Sequence, residues 1–148
     1  MLRKQFALRP DWESKCREVG FDFCDLPSSD GSWYWSEGVG YELTLTQVDH
    51  LDDSTKELHD MCMGIVSDIL TTGDFPNEYG FSDQVKALMT ESWKRGDKHL
   101  YGRFDLAYDG TNIKMLEYNA DTPTSLLEAS VVQWNWVEQV EGIPNRDQ

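Results

Sequence analysis

The stretch HLYGRFDLAYDGTNIKMLEYN, residues 99–119, decides how this chain folds. Two runs of strand-like composition, His99–Tyr108 and Ile113–Asn119, flank the polar residues Asp109, Gly110, Thr111 and Asn112. An Asp-Gly pair between two such runs is a hairpin signal, so an antiparallel hairpin is predicted here. Side chains alternate between the faces of a strand. Arg103 and Asp105 therefore share one face of the first strand, and Glu117 and Asn119 share one face of the second. Whether the two pairs meet depends on register, because a one-residue slip sends a whole strand to the opposite face. An odd-length loop puts all four on one face and a two-residue loop separates them; the sequence leaves both open.

Working outward, helical patterns lie on both sides. Before the hairpin, a helix is predicted over Ser82–Arg95, with Val85, Leu88 and Met89 inward and Gly96 as its stop. A longer one is predicted over Gln47–Leu70. Thr46 is its candidate cap, and Asp49 lies in its first turn. Leu51, Thr55, Leu58, Cys62, Ile65 and Ile69 recur at three- and four-residue spacing, which predicts one buried stripe. Gly73 and Pro76 close that helix. After the hairpin, Pro123 or Thr124 opens a helix running to Val140, with Gly142 and Pro144 after it. Nearer the start, Asp11–Val19 reads as a short helix with Asp11 as N-cap and Gly20 as stop. Residues 27–32 form a loop, and Trp33–Trp35 and Tyr41–Leu45 read as short extended pieces. The fold class is α+β: an antiparallel hairpin or larger sheet flanked by helices, in one domain spanning residues 1–148.

Composition narrows the function. The chain has 148 residues, 39% of them hydrophobic, which is enough for a real core rather than a disordered segment. It carries 13 basic against 27 acidic residues, a net charge of -14. Such a surface repels phosphate backbones, so no nucleic-acid partner is expected. It could attract a polyamine or Mg²⁺, but on charge alone a solvated acidic surface is the preferred reading. Cys16, Cys24 and Cys62 are odd in number and show no CxxC spacing, so neither a disulfide framework nor a zinc knuckle is expected. A reducing, cytoplasmic setting fits them best. Met1–Pro10 lacks the apolar run of a signal peptide, and no stretch has the length of a membrane span. His50, His59 and His99 have no metalloprotease spacing, and His59 reads as packed or partly exposed. Cys62 reads as core. Trp134 and Trp136 face different sides of the last helix, so one can pack against the hairpin and the other can meet a further part of the protein. Gly31, Gly38 and Gly40 lack the context of a dinucleotide loop.

The hairpin residues have a specific chemistry. Asp105, Glu117 and the amide oxygen of Asn119 are hard oxygen donors of the kind Mg²⁺ takes alongside substrate phosphates. The planar fork of Arg103 can hold a carboxylate or a transferring phosphoryl group. Thr122, Thr124 and Ser125 offer hydroxyls and N–H groups at a helix start, where carboxylates and phosphates bind. The alternative is plainer: an Arg–carboxylate pair on a solvated hairpin and ordinary capping by Asp121 or Thr122.

Arg103-Phe-Asp105, a short turn, and Leu116-Glu-Tyr-Asn-Ala-Asp-Thr-Pro-Thr-Ser-Leu-Leu-Glu-Ala129 together resemble the signature of glutathionylspermidine synthase and its shorter relatives without an amidase domain. Arg9-Pro-Asp-Trp12, Gly20-Phe21, Tyr34-Trp35 with Glu37, Leu43-Thr44-Leu45, Lys56-Glu-Leu-His59, Asp60-Met-Cys62 and Gln133-Trp134 support it, so the resemblance covers essentially the whole chain. It implies an ATP-dependent carboxylate–amine ligase of the ATP-grasp type, which activates an acid as an acyl phosphate for attack by an amine. By that resemblance Asp105, Glu117 and Asn119 hold Mg²⁺ and Arg103 is catalytic, steadying the acyl phosphate. Thr122, Thr124 and Ser125 contact a peptide-like acid, and the second substrate is an amine or polyamine. Ser125 departs from the synthase, which has cysteine there, and two further positions have threonine for serine, so the acid's identity stays open. Family members are much longer, and their ATP-holding strands and lid fall beyond Gln148. This chain is therefore expected to be their N-terminal portion, inactive alone, with the remainder supplied in cis or as a separate chain. The competing expectation is a non-catalytic module for a metal or small acid, or an inactive remnant.

Overall fold

The computed structural model describes residues 1–121 and 123–143. Its regular elements are β1 (Leu2–Gln5), α1 (Trp12–Glu18), β2 (Val39–Glu42), α2 (Leu45–Thr72), α3 (Asp83–Arg95), β3 (Arg103–Tyr108), β4 (Ile113–Asn119) and α4 (Gln133–Gln139). They fall into two compact units, one of Met1–Thr44 with the described residues of Thr122–Gln148, the other of Leu45–Asp121. The class is α+β as predicted, with two two-stranded antiparallel sheets, β1–β2 and β3–β4, accompanied by helices.

In the first unit, α1 ends where predicted. Gly20 takes a positive φ of 83°, its N–H reaches Arg17 O at 2.9 Å, and the Phe21 N–H reaches Cys16 O at 3.0 Å. That turn drops Phe21 into the core with Cys16, Cys24 and Val132, all essentially inaccessible, while Trp12, Val19, Trp35 and Leu127 pack around them. Asp11 sits at the N-cap position, but it is left-handed (φ 54°) and its side chain makes no capping bond. Strand β1 has no sequence counterpart among the predicted elements. LRKQ lacks apolar alternation, and the strand is held by pairing with β2 and by the Lys4–Glu42 ion pair at 2.7 Å.

A buried ion pair ties distant parts of this unit together. Arg9 and Glu37 are 5% and 4% exposed. Arg9 Nε donates to Glu37 Oε1 at 2.7 Å and an Arg9 terminal N–H to Oε2 at 3.0 Å, a two-pronged fork. Trp35 Nε1 donates to Glu37 Oε2 at 2.7 Å, and the other terminal nitrogen of Arg9 donates to Gln139 Oε1 at 3.0 Å. From α4, Trp136 Nε1 donates to the Glu37 carbonyl at 2.8 Å. Its ring meets Phe6 edge-on at 5.0 Å and presses on Gly40, where an added Cβ would lie 2.9 Å from Trp136 Cη2. Trp136 thus packs on the β1–β2 sheet of its own unit, while Trp134 is exposed.

The last helix starts later than predicted. Ser125 has φ 77°, so no helix can run through Pro123 and Thr124. The Ser125 carbonyl instead accepts the first helical bond, from Ala129 N–H at 3.0 Å. A π-helical stretch, Glu128–Val132, leads into α4. It places the buried Glu128 within 2.7 Å of the Tyr34 hydroxyl, which donates to it. Pro144 lies outside the described residues.

In the second unit, α2 begins at Leu45, so Thr46 lies inside the helix and cannot cap it. The spacing of its inward stripe is as read, but the stripe is only half-buried, and Ile65 is exposed. Helix α3 has the predicted ends. Ser82 Oγ accepts from Val85 N–H at 3.3 Å, and Gly96 closes in the left-handed conformation. Its Val85 and Leu88 are exposed rather than inward. Strand β3 is shorter than predicted, starting at Arg103; the preceding Gly102 lies against Tyr118, whose Cε2 would be 2.6 Å from an added Cβ.

The hairpin register is settled by one extra residue. Tyr108 pairs with Ile113 across the four-residue turn Asp109–Asn112. An even turn with regular alternation would put Glu117 on the face opposite Asp105. Instead the ladder shifts between Asp105 and Leu106: Leu106 pairs with Met115, Asp105 with Glu117, and Leu116 is left over as a bulge. Beyond it Arg103 pairs with Asn119, so the four residues share a face after all. The other face stacks Phe104 on Tyr118 at 4.0 Å, and Tyr118 OH meets His59 Nδ1 of α2 at 2.9 Å.

Two outcomes are expected. Arg9→Met leaves the Glu37 carboxylate buried without its fork and should cost about 3–5 kcal/mol, read by urea unfolding; a cost near zero would contradict the account. Deleting Leu116 removes the bulge yet keeps Asp105 opposite Glu117, so cross-strand nuclear Overhauser contacts between residues 105 and 117 should survive. Their loss would show that the bulge does more than absorb a residue.

Candidate functional site

Four polar side chains converge on the shared face of β3 and β4. Arg103 Nε donates to Asp105 Oδ1 at 3.0 Å, with side chains 29% and 42% exposed. The Asn119 amide is satisfied in one orientation only. Its nitrogen then donates to Glu117 Oε1 at 2.9 Å and its oxygen accepts from an Arg103 terminal N–H at 3.1 Å. Arg103 therefore bridges Asp105 and Asn119, and Asn119 links onward to Glu117. The hydrogen bond from Arg103 to Asp105 holds the guanidinium above its ordinary pKa, so it remains charged. The result is a face with one fixed cation, two carboxylates and an amide, partly open to solvent.

The turn below this face is rigid. Asp109 Oδ1 accepts from the N–H groups of Thr111 and Asn112 at 2.9 and 2.7 Å, and Oδ2 accepts from Asn112 Nδ2 at 2.9 Å. Led by the Asn112 side chain, these bonds pull the Asp109 carboxyl from 3.8 down to about 2. The turn is also held to α2: Gln47 Nε2 donates to Gly110 O at 3.4 Å, and His50 Nε2 lies 3.1 Å from Thr111 O. The hairpin is thus fastened to α2 near both ends, by these contacts and by the His59–Tyr118 pair.

Asp105 and Glu117 supply the carboxylate oxygens that Mg²⁺ takes, since the ion is commonly held by one or two carboxylates with substrate phosphates completing the shell. Among the described residues no group of three or more His, Cys, Asp or Glu gathers as a metal cage. The amide oxygen of Asn119, the third candidate ligand, accepts from Arg103 here and would have to leave that bond to reach a cation. Thr124 is exposed and Ser125 half-buried, both just before the last helix, in the other unit from the four hairpin residues. Thr122 lies outside the described residues. The left-handed Ser125 is the strained residue of this segment.

Other reactive groups are disposed of by their surroundings. Burial pushes the Cys16 thiol up to about 11, with Cys24 beside it adding to the effect, so neither the geometry nor the charge makes a nucleophile. Cys62 is half-buried on α2. Sequence reasoning misses the role of His59 in fixing Tyr118; its place beside the inward stripe of α2 is the available signal. No helix among the described residues is long and apolar enough to cross a membrane.

The family described as glutathionylspermidine synthase preATP-grasp matches residues 3–148. A provisionally named acid–amine ligase of Haemophilus influenzae is 54% identical over 143 residues, covering 97% of this chain and 36% of that protein. Trypanothione synthetase of Crithidia fasciculata is 31% identical over 86 residues, 57% of this chain and 13% of its own length. The bifunctional glutathionylspermidine synthetase/amidase of Escherichia coli is 28% identical over 100 residues, 67% of this chain and 16% of its own. The chain thus spans about a third of the length of the Haemophilus relative and less of the others. With the match running from residue 3 to residue 148, this chain belongs to the glutathionylspermidine synthase preATP-grasp family.

Proposed function

We propose that this chain carries the metal- and acid-handling portion of an ATP-dependent carboxylate–amine ligase. The observation that supports it most is the bulged register, which sets Asp105 opposite Glu117 and Arg103 opposite Asn119 on one face. A polar quartet on a plain solvated hairpin would need no such arrangement, and family membership supplies the reaction class.

In this reading Asp105, Glu117 and Asn119 hold Mg²⁺, which when bound supplies charge neutralisation for the phosphates of ATP. Arg103 is the catalytic side chain. Already held by Asp105, its guanidinium presents a preorganised cation to the acyl phosphate, and it need not reorganise as charge develops. The acid takes a phosphoryl group from ATP, releasing ADP; the amine then attacks the acyl carbon and phosphate leaves. Thr122, Thr124 and Ser125 are the proposed hydroxyl contacts for a peptide-like acid, and the acidic surface favours a cationic amine or polyamine. ATP is held mainly by the ATP-grasp part of the ligase, with the present residues working together as the portion preceding it.

The test uses the protein at its natural length. Asp105→Asn and Glu117→Gln should each lower ATP-dependent amide formation by about 100-fold or more while leaving the circular dichroism spectrum unchanged. Chelating Mg²⁺ should abolish turnover. Wild-type rates in either variant would sink the metal assignment.

A further inference from the structure

Two ladders are open to β4 beyond Met115. In the regular one, Asp105 would face Leu116, Phe104 would face Glu117 and Arg103 would face Tyr118. In the one observed, Leu116 is set aside as a bulge, 70% exposed, and Tyr118 pairs with Phe104. The choice decides what β4 turns toward α2. Residues opposite one another point to the same side of a sheet. The regular ladder would therefore send Glu117 and Asn119 to the α2 side, and Tyr118 to the side of Arg103.

The α2 side is shaped for the tyrosine. Gly102 leaves room for the ring: an added Cβ there would lie 2.6 Å from Tyr118 Cε2 and 2.7 Å from its hydroxyl oxygen. Phe104 stacks on the ring at 4.0 Å, with 19° between the planes. His59 Nδ1 lies 2.9 Å from the hydroxyl. His59, Phe104 and Tyr118 are all half-buried. None of these contacts is available to a Tyr118 on the side of Arg103.

We propose that His59, through Tyr118, selects the bulged ladder and is thereby a positioning residue for Arg103, Asp105, Glu117 and Asn119. Tyr118 lies between Glu117 and Asn119, so holding its side chain toward α2 holds both neighbours on the opposite face. The selection of register stands on this geometry alone. Its consequence for a bound cation rests on the ligase reading.

The test uses the nitrogen-15-labelled protein at its natural length, with Mn²⁺ titrated in and the Asn119 side-chain amide followed. His59→Leu removes the bond from one side; Tyr118→Phe removes it from the other and keeps the ring stack. Each should raise the Mn²⁺ concentration for half-broadening by about 5-fold, the worth of one ordinary hydrogen bond. The double variant should do no more than either single one, because both remove the same bond. His59→Asn, whose amide can take the place of Nδ1, should stay within about 2-fold of the unaltered protein. His50→Leu cuts the 3.1 Å contact between α2 and Thr111 O at the turn, and it should leave the Mn²⁺ concentration unchanged. No rise in His59→Leu, or an equal rise in His50→Leu, would overturn the proposal. Failure of the ligase reading looks different: the hairpin of the unaltered protein would then not broaden at all. The register is still read by nuclear Overhauser contacts between residues 103 and 119. His59→Leu should weaken those and bring up contacts between 105 and 116; unchanged 103–119 contacts in that variant would overturn the proposal.

Discussion

Strand alternation admits no compromise, and β4 carries one residue too many for an even turn. With the four-residue turn Asp109–Asn112, regular pairing would send Glu117 and Asn119 away from Arg103 and Asp105. The chain resolves the conflict at Leu116, which drops out of the ladder and lets the faces switch between Met115 and Glu117. Everything proposed for the site follows from that switch. The turn holds its own geometry through Asp109, and α2 anchors both ends of the hairpin, so the bulge is confined to the middle of the ladder. The same shift sets Phe104 against Tyr118 on the opposite face, where their rings stack and the Tyr118 hydroxyl reaches His59. One face is thereby free for polar chemistry because the other carries the packing.

The first unit depends on a different constraint, the burial of a carboxylate. Desolvating Glu37 is costly unless each oxygen is paired. Arg9 supplies a fork, Trp35 a third donor, and Trp136 secures the backbone carbonyl of the same residue. Those partners come from the start of the chain, from β2's approach and from α4, so satisfying one acid draws together segments separated by as many as 130 positions, as in the Arg9–Gln139 bond. Gly40 belongs to the same arrangement, since any larger residue would collide with the Trp136 ring.

How much of this could be read in the sequence depends on how local each cause is. The Asp109–Asn112 turn and the Gly20 and Gly96 stops are set by nearby residues, and they stand where expected. The identities of Arg103, Asp105, Glu117 and Asn119 were legible for the same reason. The bulge that unites them was not, because it is chosen by pairing energies across the whole ladder. Strand β1 was missed because LRKQ owes its extension to β2 rather than to its own pattern. The late start of the last helix turns on a single left-handed serine, Ser125, which residue type does not announce. Val85 and Leu88 follow a helical stripe, and periodicity alone cannot tell a stripe that meets this chain from one left exposed. The Arg9–Glu37 pair was visible only as two residues in separate motifs.

The most direct measurement is a Mn²⁺ and Mg²⁺ titration of the natural-length protein, followed by the nitrogen-15 and proton signals of the hairpin. If Asp105, Glu117 and Asn119 form the metal face, Mn²⁺ should selectively broaden the Asn119 side-chain amide and the backbone signals around residues 105 and 117. Mg²⁺ should compete that broadening away, and Asp105→Asn should remove it. Broadening spread evenly over the acidic surface, or absent from the hairpin, would contradict the assignment.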